Sequence, residues 1–429
     1  MRRSFTRTIM LLCFTVTATA SFSQILQTAA PASVQFSEEK LKRIDGLVQQ
    51  YIDSGWINGA TAIIARNGKI VYYKGLGYDD AATKKPLPKD AIMRIASQTK
   101  AITSVAVMML YEEGKFLLDD AVSKYIPEFK NPVVLDSFNE ADTTYTTVPA
   151  KSEITIRQLL THTSGIHYAQ IGNKTFNAIY AKAGIIAGIG VNRIKLADIM
   201  KKLGSLPLAH QPGEKFTYGL NTDLLGYLVE VVSGMSFNVF LKTRIFEPLG
   251  MKDTYFYLPA EKQNRLATLY TEDDTRHIKK AAATMDINGT FYTNYPNMNG
   301  TYFSGGGGLA STAYDYAVFM QMLLNNGVYN GKRILSRNTI RMMTTNQIGD
   351  LRLGQGNTFG LGFELVTEKG SAFSPRSEGS YSWGGMFSSS YWIDPKEKIV
   401  AQLFLQLYPN SHGDIHEKFK VLTYQALTD

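Results

Sequence analysis

The sequence predicts an α/β (α+β) fold: one antiparallel sheet built from both chain ends, flanked by helices, with a large, mainly helical insertion between them. Two hairpin signals and one change of period carry this. Near the start, β-rich runs over 60–66 and 69–77 are joined by Asn67-Gly68, a pair suited to a tight turn because both of its positions need positive φ. Near the end, strand-like runs over 386–393 and 399–408 are joined by Asp394-Pro395-Lys396-Glu397, which has the residues of a type I turn. Between these hairpins the apolar spacing becomes helical. Chain ends that share a sheet make one unit of two subdomains, and a site belongs in the cleft between them.

In chain order, residues 1–20 form the first segment. Arg2, Arg3 and Arg7 precede an apolar run over 9–16 and then small residues at Ala18 and Ala20. That order is a secretory signal peptide whose apolar stretch is too short to span a bilayer. Cleavage is expected near Ala20 or Ser23, and the mature protein is expected to be periplasmic or secreted. Leu12 stands before Cys13 where a lipid-anchored protein needs a small residue, so stable membrane insertion is not expected. Losing residues 1–20 removes three arginines and no acid, so the net charge falls from +8 to +5 and no cysteine remains. Disulfides and cysteine-built zinc sites are thereby excluded. The basic residues form no block, so no nucleic-acid partner is expected.

A linker over 21–36 leads to a domain over 37–429. Its first helix, over 37–53, opens on Ser37-Glu38-Glu39-Lys40 and places Leu41, Ile44, Leu47, Val48 and Tyr51 on one face. After the first hairpin, helices are expected over 97–113, 156–161, 195–203, 221–233, 238–245 and 311–325, and the helical subdomain covers roughly 115–300. The run Gly305-Gly306-Gly307-Gly308 marks a tight turn or a close backbone approach. A closing helix is expected over 414–427. A content of 44% hydrophobic and 19% charged residues agrees with a globular chain rather than a disordered one.

The chemistry starts at Ser97-Gln98-Thr99-Lys100. Serine and lysine at i and i+3 share one helical face. A serine hydroxyl is a poor nucleophile without a base. A lysine provides one if burial and a helix N-terminus keep its amine neutral. Ser-x-x-Lys alone is a weak signal, and a second copy, Ser37 to Lys40, is explained by helix capping. Taken by itself, Ser97 reads equally as an N-cap or as a nucleophile.

The wider sequence decides. Thr155-Ile156-Arg157-Gln158-Leu159-Leu160-Thr161-His162-Thr163-Ser164-Gly165, Ile245-Phe246-Glu247-Pro248-Leu249-Gly250-Met251 and Gly305–Thr312 resemble signatures of the penicillin-recognising serine hydrolases near class C β-lactamases. Ser97 to Lys100 matches that family's first motif, and Tyr218 in Phe216-Thr217-Tyr218-Gly219-Leu220 its tyrosine motif. Trp383-Gly384-Gly385 stands in its third, strand-borne position. The resemblance implies a β-lactamase/transpeptidase-like fold from about Phe36 onward, and an acyl-enzyme formed on Ser97. Lys100 and Tyr218 would share base and acid duty, with the Tyr218 phenol relying on Lys100 for cationic help. The backbone N–H groups of Ser97 and Met386 would hold the oxyanion.

Two departures narrow the activity. Where class C β-lactamases have Tyr-x-Asn, the third position here is Leu220, and Asn221 comes one residue late. Where lactamases and D,D-peptidases begin the third motif with Lys or His, this chain has Trp383, whose indole cannot neutralise a carboxylate but offers a flat apolar wall. Trp-Gly-Gly resembles the family VIII carboxylesterases. The expected activity is therefore hydrolysis of small to medium acyl esters, with Trp383, Gly384 and Gly385 lining the substrate pocket and no metal or organic cofactor. The alternatives are a β-lactamase or D-amino-acid peptidase acting on cell-wall peptides, or a catalytically silent peptidoglycan-binding relative.

Three further candidates read as structural. His162 fits a helix end followed by a turn. His412 and His416 have the i,i+4 spacing of a metal pair but no third ligand. Arg376 is expected as an exposed loop arginine rather than a substrate contact. No Gly-x-Ser-x-Gly elbow occurs, which argues against an α/β-hydrolase site.

Overall fold

The computed structural model describes residues 25–186, 188–189, 193–287 and 289–429. The segment expected to be a signal peptide, both candidate cleavage points and Cys13 lie outside the described residues.

A nine-stranded sheet forms the frame. Its order is Gln27–Thr28, Lys69–Asp80, Gly59–Arg66, Ile399–Phe404, Ser389–Asp394, Tyr381–Gly385, Glu364–Leu365, Thr358–Phe359, with Lys85–Pro86 paired to the second of these. Pairing is antiparallel except at the two-residue edge strand Gln27–Thr28. The chain ends meet at the centre, where Thr61 lies opposite Phe404 and Arg66 opposite Ile399. Arg66 then clamps the C-terminus, reaching Glu397 at 3.1 Å and Asp429 at 2.9 Å.

Both faces of this sheet are covered, so every residue of Gly59–Arg66 is buried. Side chains alternate between two cores. Ala62, Ile64, Trp392 and Leu403 pack under the helices Glu38–Asp53 and Ile415–Tyr424. Ile63, Tyr391, Ile393 and Val400 face the opposite core, which contains the helices Thr99–Glu112 and Ala313–Leu324. Residues 99–110 are buried all round. A helix apolar on every side belongs at the centre of a domain, and here it lies between the sheet and the helical subdomain. Lys100 is consequently drawn inside.

Most expected elements are present, with informative shifts. The helix expected from Ser97 starts at Thr99, and Ser97 occupies a short 3₁₀ turn, Ala96–Gln98, ahead of it. The strand expected over 386–393 is Ser389–Asp394; Met386 to Ser388 turn the chain, with Ser388 at φ +57°. The motif Trp383-Gly384-Gly385 ends the preceding strand, Tyr381–Gly385. The helix expected over 238–245 is Phe237–Leu241, followed by a π-helical turn and a short helix ending at Leu249. Within the expected helical insertion, the hairpin of Val133–Asn139 and Thr144–Pro149 adds β structure. Ser37 Oγ caps the first helix, accepting a bond from the Lys40 amide at 3.2 Å.

Candidate active site

Ser97 is half-buried at the junction of the sheet and the central helix. It follows Ala96, a non-glycine residue at φ +43°, a conformation held only where surrounding structure imposes it. The approach of the strand Tyr381–Gly385 is part of that structure. A Cβ on Gly385 would sit 2.4 Å from the Ile95 carbonyl oxygen, so only glycine lets the strand end pass this close to the nucleophile turn.

Lys100 is 3% exposed. Its Nζ lies 3.3 Å from Ser97 Oγ, 2.7 Å from the Tyr168 hydroxyl and 2.6 Å from the Gly306 carbonyl oxygen. It also stands 4.6 Å from the Tyr218 ring centroid. Three acceptors match the three N–H groups of an ammonium. A neutral amine would satisfy two of them and accept a proton from the third, and only the two hydroxyls can donate. The glycine run explains the 2.6 Å carbonyl contact. A Cβ on Gly305 would strike the Thr222 carbonyl oxygen at 2.3 Å, and one on Gly306 would strike Asp223 Oδ2 at the same distance. The backbone can therefore lie flat against the helix Asn221–Ser233 and turn its carbonyl to Lys100.

Tyr218 sits among rings: His162 at 4.9 Å, Tyr168 at 5.2 Å and Trp383 at 5.5 Å between centroids. Its hydroxyl accepts a 3.4 Å bond from Trp383 Nε1. No hydrogen bond joins it to Ser97 Oγ among the described residues. Long or absent catalytic bonds are usual before substrate binds. Trp383, Gly384, Gly385 and Met386 line one cavity with Ser97 and Tyr218. All the sequence-predicted site residues are thus brought together at one cleft.

Tyr168 was not anticipated. It lies in the irregular segment between the helices Ile156–Leu160 and Lys174–Ala183. Burial, together with Tyr218 and Asp223 nearby, pushes its phenol well above the usual range, so it remains a neutral hydroxyl. The Thr-His-Thr-Ser-Gly signature would have led there, since Tyr168 follows Gly165 by only three residues.

His162 is 2% exposed and stands in the left-handed region at φ +55°. The helix Ile156–Leu160 before it opens on a Thr155–Gln158 capping box. Burial and then the nearby Lys100 hold its imidazole well below its ordinary pKa. The Asn221 amide nitrogen contacts its Nδ1 at 3.0 Å, while Asn221 Oδ1 accepts the Ser164 hydroxyl at 2.5 Å. Asn221 is therefore spent on tying the His162 turn to the Asn221–Ser233 helix, beneath Tyr218. His412 stacks on Trp56, with centroids 4.2 Å apart, and His416 Nδ1 meets Ser390 Oγ at 2.8 Å.

The expectation for Arg376 needs correction. It is not an exposed loop residue: it is 6% exposed and lines the cavity that contains Ser97 and Trp383. Its side chain is drawn in by Ser382 Oγ, which accepts from Nη1 at 2.7 Å, and by Ser374 Oγ, which accepts from Nε at 3.0 Å.

Asp223, fully buried, accepts the Ser304 hydroxyl at 2.6 Å. Burial lifts its carboxyl to about 6, against the lowering effect of Ser304 and Lys100. A carboxyl raised in the fold stabilises it below the unfolded pKa and loses that contribution as pH climbs through the folded value. Relative to Asp223→Asn, the native chain is expected to gain about 2 kcal/mol of unfolding free energy between pH 7.5 and pH 4.5. Urea unfolding of both proteins at the two pH values checks this, and an unchanged difference would refute it.

A serine and a buried lysine one turn apart, with a tyrosine over the amine at the cleft of a two-subdomain α/β fold, define a serine hydrolase of the Ser-x-x-Lys type. The family model described as Beta-lactamase matches residues 44–424, and the chain belongs to that family of serine hydrolases. Among its relatives, Esterase EstB of Burkholderia gladioli is 28% identical over 82% of this chain and 86% of its own length. A Salmonella typhi protein named "Putative D-alanyl-D-alanine carboxypeptidase" is 28% identical over 90% of this chain and 87% of its own. The solved structure of EstCE1, described as a hydrolase with promiscuous acyltransferase activity, superposes with a TM-score of 0.77 at 27% identity, covering 90% of this chain and 99% of that one.

Proposed function

We propose that the protein is a carboxylesterase acting on small to medium acyl esters through an acyl-enzyme on Ser97. The observation that carries this reading is Trp383, at the strand end beside Tyr218, where lactamases and D,D-peptidases have a cationic or hydrogen-bonding residue. An indole there packs against an uncharged substrate and donates only to Tyr218. The similarity to EstB and EstCE1 supports the same reading.

In this mechanism Ser97 Oγ gives its proton to the Lys100–Tyr218 pair as it attacks the ester carbonyl carbon. The backbone N–H groups of Ser97 and Met386 hold the oxyanion. The C–O bond to the leaving alcohol breaks, and Tyr218 supplies the proton that alcohol needs. Water then gives a proton to the same pair as its oxygen bonds the acyl carbon; the bond from that carbon to Ser97 Oγ breaks, and the pair returns the proton to Oγ as the acid leaves. Tyr168, which lines a cavity with Ser97 and Met386, holds Lys100 in place.

Hydrolysis of D-amino-acid peptides is the second reading, favoured by the buried Arg376 in the same cavity and by the Salmonella relative. The two separate on substrates. The expected kcat/KM for p-nitrophenyl butyrate exceeds that for nitrocefin, or for a D-alanyl-D-alanine peptide, by about 100-fold or more. A preference for the lactam or the peptide would overturn the esterase reading.

A further inference from the structure

The helix Arg337–Met343 and the hairpin before it carry charge that their surroundings do not balance. From Leu324 to Gly349 the sequence has Lys332, Arg333, Arg337 and Arg341 and no acid. Arg337 and Arg341 stand at i and i+4 on one helical face, where like charges repel. Neither takes part in an ion pair among the described residues. Nearby acids are engaged elsewhere. Glu112 accepts the Ser336 amide at 2.7 Å. Asp394 accepts the amides of Ser377, Lys396 and Glu397 and the Tyr424 hydroxyl. Glu397 pairs with Arg66.

Both arginines open onto one cavity of about 500 Å³, which they line with Asn326, Asn338, Tyr381 and Pro395 and with no acidic residue. None of its lining residues lines either cavity that holds Ser97. Tyr381 opens the strand Tyr381–Gly385 at the end away from the nucleophile turn. The rim is therefore rich in donors: two guanidinium forks and two side-chain amides. Two forks offer more N–H groups than one carboxylate can accept, whereas the three terminal oxygens of a phosphate ester can accept from both. The space exceeds a phosphate group alone, and Tyr381 and Pro395 give it an apolar wall suited to an organic group. We propose that this cavity binds the phosphate group of an organic phosphate, gripped by Arg337 and Arg341 with Asn326 and Asn338 donating beside them. No bond of the ligand is broken there, and binding is independent of the substrate that Ser97 takes.

Calorimetric titration of the intact chain with phenyl phosphate, a dianion at about pH 8, tests the site at low ionic strength. Saturable binding is expected, about tenfold or more tighter than for benzoate or inorganic phosphate. Arg337→Gln and Arg341→Gln are each expected to weaken it about tenfold and the double variant further, with the Lys replacements in between. The double variant Lys332→Gln/Arg333→Gln removes equal charge outside the cavity and is expected to change the affinity about twofold or less. Should Arg337→Gln/Arg341→Gln fail to fold, the single variants decide. Vesicles of phosphatidylcholine with and without phosphatidic acid distinguish two sources of the ligand. Co-sedimentation that needs phosphatidic acid and both arginines identifies a lipid headgroup, and phenyl phosphate binding without it identifies a soluble ester. Absence of saturable binding, equal affinity for benzoate, or unchanged affinity in the folded arginine variants would overturn the site. So would an equal loss in Lys332→Gln/Arg333→Gln, and inorganic phosphate binding as tightly as phenyl phosphate would overturn the organic ligand.

Discussion

Ser97→Ala is expected to lower kcat on any ester by about 10⁴-fold or more and to abolish stoichiometric labelling by a serine-reactive phosphonate. The size follows from the chemistry: without Oγ there is no acyl-enzyme, and the remaining N–H groups only polarise a carbonyl for attack by bulk water. Stability is expected to change little, with the melting temperature moving by about 3 °C or less. Ser97 Oγ is half-buried and receives a single 3.3 Å bond, and Lys100 keeps its Tyr168 and Gly306 partners when that bond is lost. Intact-mass measurement after phosphonate treatment reads the first effect and calorimetry the second. A folded Ser97→Ala protein that still takes up one phosphonate would place the nucleophile elsewhere and end the proposed mechanism. A folded native protein that takes up none would favour the silent peptidoglycan-binding alternative.

Tyr218→Phe has the second-largest expected effect, a fall in kcat of about 10² to 10⁴-fold with KM changed far less. The ring contacts to His162, Tyr168 and Trp383 survive in phenylalanine, so the loss isolates the hydroxyl. Tyr168→Phe is the matched comparison. It removes the 2.7 Å partner of Lys100 but leaves the proton carrier in the cavity it shares with Ser97 and Trp383, and a loss of only about tenfold is expected. Steady-state kinetics on one ester with both variants gives the contrast. If Tyr168→Phe proved as damaging as Tyr218→Phe, the proton would run through Lys100 and Tyr168, and Tyr218 would be a packing residue.

Much of this architecture could be read locally. The Asn67-Gly68 turn and the Asp394 to Glu397 turn are short-range signals, and both hairpins form where expected. Ser97 and Lys100 are three residues apart, so their proximity needs only one helical turn. The helices Lys174–Ala183 and Arg337–Met343 and the hairpin at Val133–Asn139 were missed. Their segments are short or half-exposed, and their apolar spacing is too brief to declare a period. The strand at 381–385 was recognised only through its motif. With two glycines in five residues it has little β-propensity of its own, and it is held by pairing with Ser389–Asp394 on one side and Glu364–Leu365 on the other.

The sequence by itself determined the two hairpins near the chain ends and a serine and lysine one turn apart at the start of an apolar helix. Each of these depends on residues a few positions apart, where backbone preference and side-chain period act directly. Only the tertiary structure decided that Arg376 lies inside, that Tyr168 completes the shell of Lys100, and that Asn221 ties the scaffold instead of pointing at substrate. Those outcomes depend on contacts between distant segments, such as the 206 residues separating Lys100 from the Gly306 carbonyl. Burial at such a contact is settled by what packs opposite, and a local pattern carries no information about that.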